Sequence, residues 1–261
     1  MKMSRFAIAL APVVAATPAL AGAWTQPQGA GQVIVTGIYS HSGKGYDGGG
    51  HVADIADRTK AEAYFLAEYG VSDDLTLMIT PSFSHVSVQG GDDSTGAGYT
   101  ELGGRYRLGG SGTSVFSVQG SLRIPGTKRR DSLAQIGSTD SEIDLRALAG
   151  TSFKIGGHDG FADIQAGYRI RNGQPPNEYR IDATLGFRPV PQLLLLAQSF
   201  NVVSDGAGRG VFGKYRYHNL YLGTVYDLSA KWSVQLGGLM TLDGENALRE
   251  RGAFTGLWYR F

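Results

Sequence analysis

Between residues 60 and 69 the chain alternates strictly. Ala61, Ala63, Phe65, Ala67 and Tyr69 share one parity, and Lys60, Glu62, Tyr64, Leu66 and Glu68 share the other. Successive side chains of a β-strand point to opposite faces, so a period of two predicts a strand with one apolar and one largely polar face. The same pattern returns downstream. Over 99–108, Thr100, Leu102, Tyr106 and Leu108 oppose Glu101, Arg105 and Arg107. Over 141–153, Ile143, Leu145, Ala147 and Ala149 oppose Glu142, Asp144 and Arg146. Over 161–171, Ile164, Ala166, Tyr168 and Ile170 oppose Asp163, Gln165, Arg169 and Arg171. Over 179–188, Tyr179, Ile181, Leu185 and Phe187 oppose Arg180, Asp182 and Arg188.

Further strands are expected near 31–40, 75–85, 113–124, 192–203, 216–226, 232–242 and 251–261, which makes twelve. The alternation is less clean in 31–40, 192–203 and 216–226, and their facing is left open. Connections alternate in length. Those at 71–74, 109–112, 154–160, 189–191 and 227–231 are short, and those at 41–59, 86–97, 125–140, 172–178, 204–215 and 243–250 are longer or more irregular. Short turns at one end and long loops at the other, joining an even number of strands, are the mark of an outer-membrane barrel. A secreted β-sandwich would also alternate, but it needs an apolar core where this chain places successive charges. The expected fold is therefore all-β, a transmembrane antiparallel up-and-down β-barrel of about twelve strands.

The amino terminus agrees with export. Lys2 and Arg5 precede an apolar stretch over 6–16 that only Pro12 interrupts, and small residues follow as Ala19-Leu20-Ala21 or Ala21-Gly22-Ala23. This reads as a signal peptide over 1–23, cut after Ala21 or Ala23, followed by the barrel over 24–261 and placed in the outer membrane. The apolar run is too short for a membrane helix, which needs about 20 residues. A net charge of +1 argues against a nucleic-acid partner. The absence of cysteine removes disulfides and thiolate metal sites.

The chain ends Gly256-Leu257-Trp258-Tyr259-Arg260-Phe261. This resembles the closing strand of outer-membrane barrels, in which Leu257, Tyr259 and Phe261 form the outward face. The resemblance implies that the barrel-insertion machinery reads these residues as an assembly signal. Two further stretches, Ala23-Trp24-Thr25-Gln26-Pro27 and Glu68-Tyr69-Gly70-Val71-Ser72-Asp73-Asp74-Leu75-Thr76-Leu77, resemble transporter-like barrels grouped with the meta-pathway phenol-degradation proteins. That likeness implies uptake of small, aromatic compounds and carries no defined site.

Searches for catalytic and metal chemistry yield little. No phosphate loop, GxSxG, HExxH or EF-hand pattern occurs. Asp73-Asp74 and Asp92-Asp93 read as solvated turn residues rather than cation ligands. His41, His158 and His218 show no ligand spacing. Trp232, Trp258, Tyr39, Tyr168 and Tyr179 are expected in interfacial girdles. His85-Val86-Ser87 resembles the His-x-Ser of barrel lipid hydrolases such as outer-membrane phospholipase A and the lipid A deacylase. The asparagine of the phospholipase pattern is absent, and hydrolysis is ranked last. No catalytic residue, cofactor or metal is assigned.

The inward face remains as the functional surface. It is expected to carry Lys60, Glu62, Glu68, Glu101, Arg105, Arg107, Arg123, Glu142, Asp144, Arg146, Asp163, Arg169, Arg171, Arg180, Asp182, Arg188 and Arg260. Arginine exceeds the acids in that set, which predicts a weak preference for anions. The preferred expectation is a passive channel or uptake pore for small solutes among outer-membrane lipids. A non-conducting structural or adhesion barrel is the alternative.

Overall fold

A computed structural model describes residues 22–91, 93–127, 133–137 and 140–261. The expected leader up to Ala21, and Asp92 of the candidate acidic pair, lie outside the described residues. The chain forms β1 (Gly31–Tyr46), β2 (Val52–Ser72), β3 (Leu75–Thr80), β4 (Ser82–Val88), β5 (Ser94–Ala97), β6 (Tyr99–Ser111), β7 (Ser114–Pro125) and β8 (Glu142–Ile155). It continues with β9 (His158–Arg171), β10 (Glu178–Val190), β11 (Leu193–Ser204), β12 (Arg216–Asp227), β13 (Trp232–Glu245), β14 (Ala247–Leu248) and β15 (Arg251–Arg260).

These elements make twelve staves. β3 runs into β4 across Pro81, β5 into β6 across Gly98, and β14 precedes β15 in the last stave. Proline has no N–H to give the ladder, so the break falls there. The Pro81 carbonyl still accepts from Phe65 N at 3.1 Å. β1 pairs antiparallel with both β2 and β15, which closes the ring. Closure leaves no open edge, and that is what a sheet in lipid requires.

Side chains follow the predicted parity. Phe65, Leu145, Leu185 and Leu236 project outward and are exposed, while Tyr64, Asp144, Thr184 and Gln235 are buried inside. Apolar side chains cover the outside all around, far beyond the patch a soluble monomer tolerates, and lipid is the solvent that suits them.

Several strands outrun their expected lengths. The 41–59 connection is mostly ladder, because β1 and β2 continue as a hairpin to a tip at 47–51. β4 likewise reaches Val88 and pairs with β5. Beyond the bilayer both faces of a strand meet water, so pairing proceeds there without alternation.

The two ends of the barrel wall meet. Gly31 N donates to Phe261 O at 2.9 Å and Phe261 N to Gly31 O at 3.0 Å. Leu257 and Phe261 are exposed on the outer face. Tyr259 packs between Phe261 and Trp232, with ring centroids 6.0 and 4.7 Å away. Tyr168 and Tyr179 pack together at 5.0 Å. Trp258 departs from the girdle expectation. It is one residue out of phase with Leu257 and Tyr259, so the pleat turns it inward, where it is buried.

Candidate functional site in the barrel interior

The interior is lined by two unlike arcs. β6 to β10 carry the charged one. Arg169 Nη2 lies 2.8 Å from Asp144 Oδ2, and its Nη1 lies 3.5 Å from Glu178 Oε2. Arg171 reaches Glu142 at 2.8 Å and Glu178 at 3.2 Å. Arg146 bridges Asp144 and Asp182, both at 2.6 Å. Arg123 joins Glu101 at 3.4 Å and also bonds Glu142. The arrangement follows from register: Glu142 stands opposite Arg123 on β7 and opposite Arg171 on β9, and Asp144 stands opposite Arg169. Cross-strand neighbours of opposite charge sit side by side, and each guanidinium offers several donors in a planar fork.

The facing arc, from β11 through β15 to β1, is apolar. Ile38, Phe200, Tyr221, Leu239 and Phe254 form one buried cluster with Tyr64 of β2. Below it Ile34, Leu194, Leu196, Val225 and Trp258 form another. Phe200 meets Tyr221 edge to face at 5.1 Å, and Tyr221 lies 5.6 Å from Phe254. Amides are set into this wall. Gln198 Nε2, Asn219 Oδ1 and Gln235 Nε2 are buried without a hydrogen-bond partner among the described residues. Trp258 Nε1 donates to the other end of Gln235 at 3.1 Å. Across the lumen, Arg180 Nε and Asp182 Oδ1 are unpartnered in the same sense.

Each end is covered. On the long-loop side, Arg58 donates to Leu133 O at 3.2 Å and to Gln135 O at 3.1 Å. Ala134 packs against Val86 and Val88. A cavity of about 30 Å³, room for about one water, lies beneath, among Lys60, Glu62, Tyr99 and Arg123. On the side of the chain ends, residues 23–26 run inside the barrel rather than in its wall, and 27–28 cross its rim at the β2–β3 turn. Ala23 O accepts from Ser117 Oγ at 2.6 Å, and Trp24 O accepts from Arg105 Nη1 at 2.8 Å. Gln26 Nε2 donates to Glu68 at 3.0 Å. Two glycines make this path. A β-carbon on Gly150 would come within 2.7 Å of the Trp24 ring, and one on Gly70 within 2.1 Å of Pro27 O. Both approaches are too close for any side chain.

Of the residues expected on the inward face, Lys60, Glu68, Arg105, Arg123, Glu142, Asp144, Asp163, Arg169, Arg171, Arg180 and Asp182 are buried. Glu62, Glu101 and Arg146 join them through ion pairs. Three arginines share the parity but sit at the rim. Arg107 pairs with Asp74 at 2.6 Å in the β2–β3 turn. Arg188 and Arg260 both reach Asp227, at 2.8 and 3.5 Å. The expected arginine excess therefore disappears. Inside stand Arg58, Lys60, Arg105, Arg123, Arg146, Arg169, Arg171 and Arg180 against Glu62, Glu68, Glu101, Glu142, Asp144, Asp163, Glu178, Asp182 and Glu250. Arg58, Glu178 and Glu250 were missed because they fall in segments read as connections.

The His85/Ser87 pair forms no dyad. His85 is exposed on the outer face, and its Nδ1 lies 2.7 Å from Thr95 Oγ1 across the β4–β5 ladder.

A family model described as a putative MetA pathway of phenol degradation matches residues 65–261. The chain belongs to this family. Among curated proteins no sequence matches it. Solved structures share the fold of this phenol-degradation family member. An outer membrane channel from Pseudomonas putida superposes with a TM-score of 0.75 at 19% identity, covering 91% of this chain and 97% of that one. The translocator domain of the autotransporter NalP from Neisseria meningitidis gives 0.53 at 12% identity, covering 90% of each. The KdgM porin gives 0.52 at 9% identity, covering 87% and 99%. The member described here is thus an all-β barrel of the outer-membrane type.

Proposed function

We propose that this family member is a passive outer-membrane channel for small amphipathic solutes, aromatic compounds with a hydroxyl or carboxylate among them. The two-sided lumen carries the reading. A ring packs on Phe200, Tyr221 and Phe254, while its polar group meets the unpartnered amides of the same wall or the guanidinium arc opposite. The family's association with phenol degradation and the channel and porin names of the similar structures support it. In the closed arrangement the 23–28 segment covers one end and the 133–137 loop the other, so conduction requires both of them to move.

The test is uptake of 4-hydroxybenzoate, an anion that crosses bare lipid slowly, into liposomes carrying the purified protein. The expected result is entry faster than that of glucose and faster than into empty liposomes. Uptake equal to that of empty liposomes, with no conductance in planar bilayers, would replace the channel by a closed structural barrel. The ion pairing of the interior arginines other than Arg58 is what favours that second reading. We also infer that Leu257, Tyr259 and Phe261 serve the insertion machinery. Deleting Phe261 should lower the outer-membrane level of the protein, and unchanged abundance would refute the assignment.

A further inference from the structure

Asp163 of β9 is the exception in the charged arc. It is buried, and Gln165 Nε2 donates to its Oδ1 at 3.2 Å. The Thr184 hydroxyl is a second neutral polar group beside it. Among the described residues it makes no ion pair, although Glu68, Glu142, Asp144, Glu178 and Asp182 each face a guanidinium. Arg105, whose charge also reaches it, is taken by Glu68, Gln119 and the Trp24 carbonyl. Asp182, nearby, adds a second negative charge. A buried carboxylate with only neutral donors calls for a cation.

One stands close by in latent form. A β-carbon built on Gly22 would lie 3.3 Å from Asp163 Oδ2, and the Gly22 nitrogen is bonded to the same α-carbon. In the uncut chain that nitrogen is a neutral amide. Ala19 and Ala21 have the small side chains that an export peptidase accepts at its cleavage site.

We propose that processing cuts the Ala21–Gly22 bond and that the α-ammonium so released is the counter-charge of Asp163, latching residues 22–26 inside the barrel. The signal peptidase adds one water across the bond. The water oxygen ends in the Ala21 carboxylate, which leaves with the leader, and the Gly22 nitrogen keeps the electron pair of the broken bond and takes up both of the water's protons. The alternative cut after Ala23 fits poorly. Ala23 is fully buried against Val115 and Leu148, and its carbonyl bonds Ser117. Removing Gly22 and Ala23 would empty that place and put a new ammonium on Trp24, beside apolar groups. Among the described residues, the interior cations named above fall one short of the carboxylates, and the cut after Ala21 also supplies one positive charge. This latch does not depend on the channel reading.

The first test is the intact mass of the protein extracted from outer membranes, which should correspond to a chain beginning at Gly22. A chain beginning at Trp24 overturns the proposal. The second test is acetylation of the α-amine in membranes by an N-hydroxysuccinimide ester, read by peptide mass spectrometry. It should run at least about tenfold slower than in Asp163→Asn, because the amine reacts only when the segment leaves the lumen. Equal rates overturn the latch. If Asp163→Asn does not assemble, the parent decides: its amine must be protected relative to the urea-unfolded chain, and no protection is a refutation. The third test refolds chains beginning at Gly22 with a free or an acetylated amine. Acetylation and Asp163→Asn should each lower the thermal midpoint, and the two together no further than one alone. Additive losses would show that amine and carboxylate do not interact.

Discussion

The charged arc and the apolar arc are built on the same strands-and-turns plan, yet they hold the barrel together by different physics. In β6 to β10 Arg123, Arg146, Arg169 and Arg171 each serve two or more carboxylates, and Glu142, Asp144 and Glu178 each pair with arginines on two strands. Such a ladder fixes register, because a slip of one residue would turn every charge into lipid. In β11 to β15 and β1 many of the same inward positions hold Ile, Leu, Phe, Tyr and Trp, which meet mainly by packing, with neutral amides such as Gln198, Asn219 and Gln235 set among them. A slip there would turn neutral amides and hydroxyls rather than charges into lipid, and so cost less. The charged arc therefore sets alignment, and the apolar arc holds its strands by packing.

The largest expected effect comes from breaking the ladder at its centre. Arg169→Met leaves Asp144, Glu142 and Glu178 short of a partner and should cost about 3–5 kcal/mol in urea titrations of the refolded barrel. Adding Asp144→Asn should recover part of that loss. A loss near zero would mean that water screens the arc, and would erase the contrast with its neighbour.

Next comes the outer surface, where the two arcs should be indistinguishable. Leu145 lies behind the charged arc and Leu222 behind the apolar one, and both are exposed to the lipid side. Arginine at either site should cost about 2–4 kcal/mol near the bilayer midplane. A markedly cheaper Leu222→Arg would show that the apolar arc yields by slipping its register, which sharpens the comparison.

Smaller still is the expected effect of Phe200→Ala. A buried Phe→Ala change costs about 3–5 kcal/mol in an enclosed core, and this site, facing the lumen, should fall below that range. Uptake of 4-hydroxybenzoate should slow relative to glucose. Unchanged discrimination between the two would remove Phe200 from the solute path.

The two arcs also differ in how far the sequence discloses them. Where Asp144 alternates with Leu145, or Arg169 with Ile170, the contrast between neighbours names the inward face outright. In β1, β11 and β12 the inward Ile34, Leu196 and Tyr221 alternate with the equally apolar Val35, Leu195 and Leu222, so the pattern there carries no sign. Trp258 could have been placed from its offset to Leu257 and Tyr259; residue type pulled it toward the girdle instead. Arg58, Glu178 and Glu250 were hidden by strand length, since pairing persists beyond the bilayer where alternation is no longer required. The inner path of 23–26 has no local signal at all. Its trace lies far away, in Gly70 and Gly150, whose meaning appears only when the segment is seen against them.

The least effect is expected at the β1–β2 tip, beyond the inward side chains of both arcs. Asp47 accepts from Gly49 N at 2.8 Å and His51 N at 2.9 Å, and these backbone donors hold its carboxyl below the ordinary 3.8. A carboxylate depressed in the folded state contributes above its unfolded value and loses that contribution as pH falls through the folded one. The tip should therefore stay closed while pH drops from neutral to the ordinary Asp range, and open only below it. Amide exchange at Gly49 and His51 reports that opening. Asp47→Ala should abolish the pH dependence of those two amides and leave barrel stability and solute uptake as they were. The tip is also tied to the neighbouring β13–β14 turn, because Asn246 N donates to Asp47 O at 3.0 Å. If uptake changed in step with the Gly49 and His51 amides, that backbone tie would be carrying the tip's state into the β13–β14 turn. The apolar arc would then be gated from outside, a control the charged arc lacks.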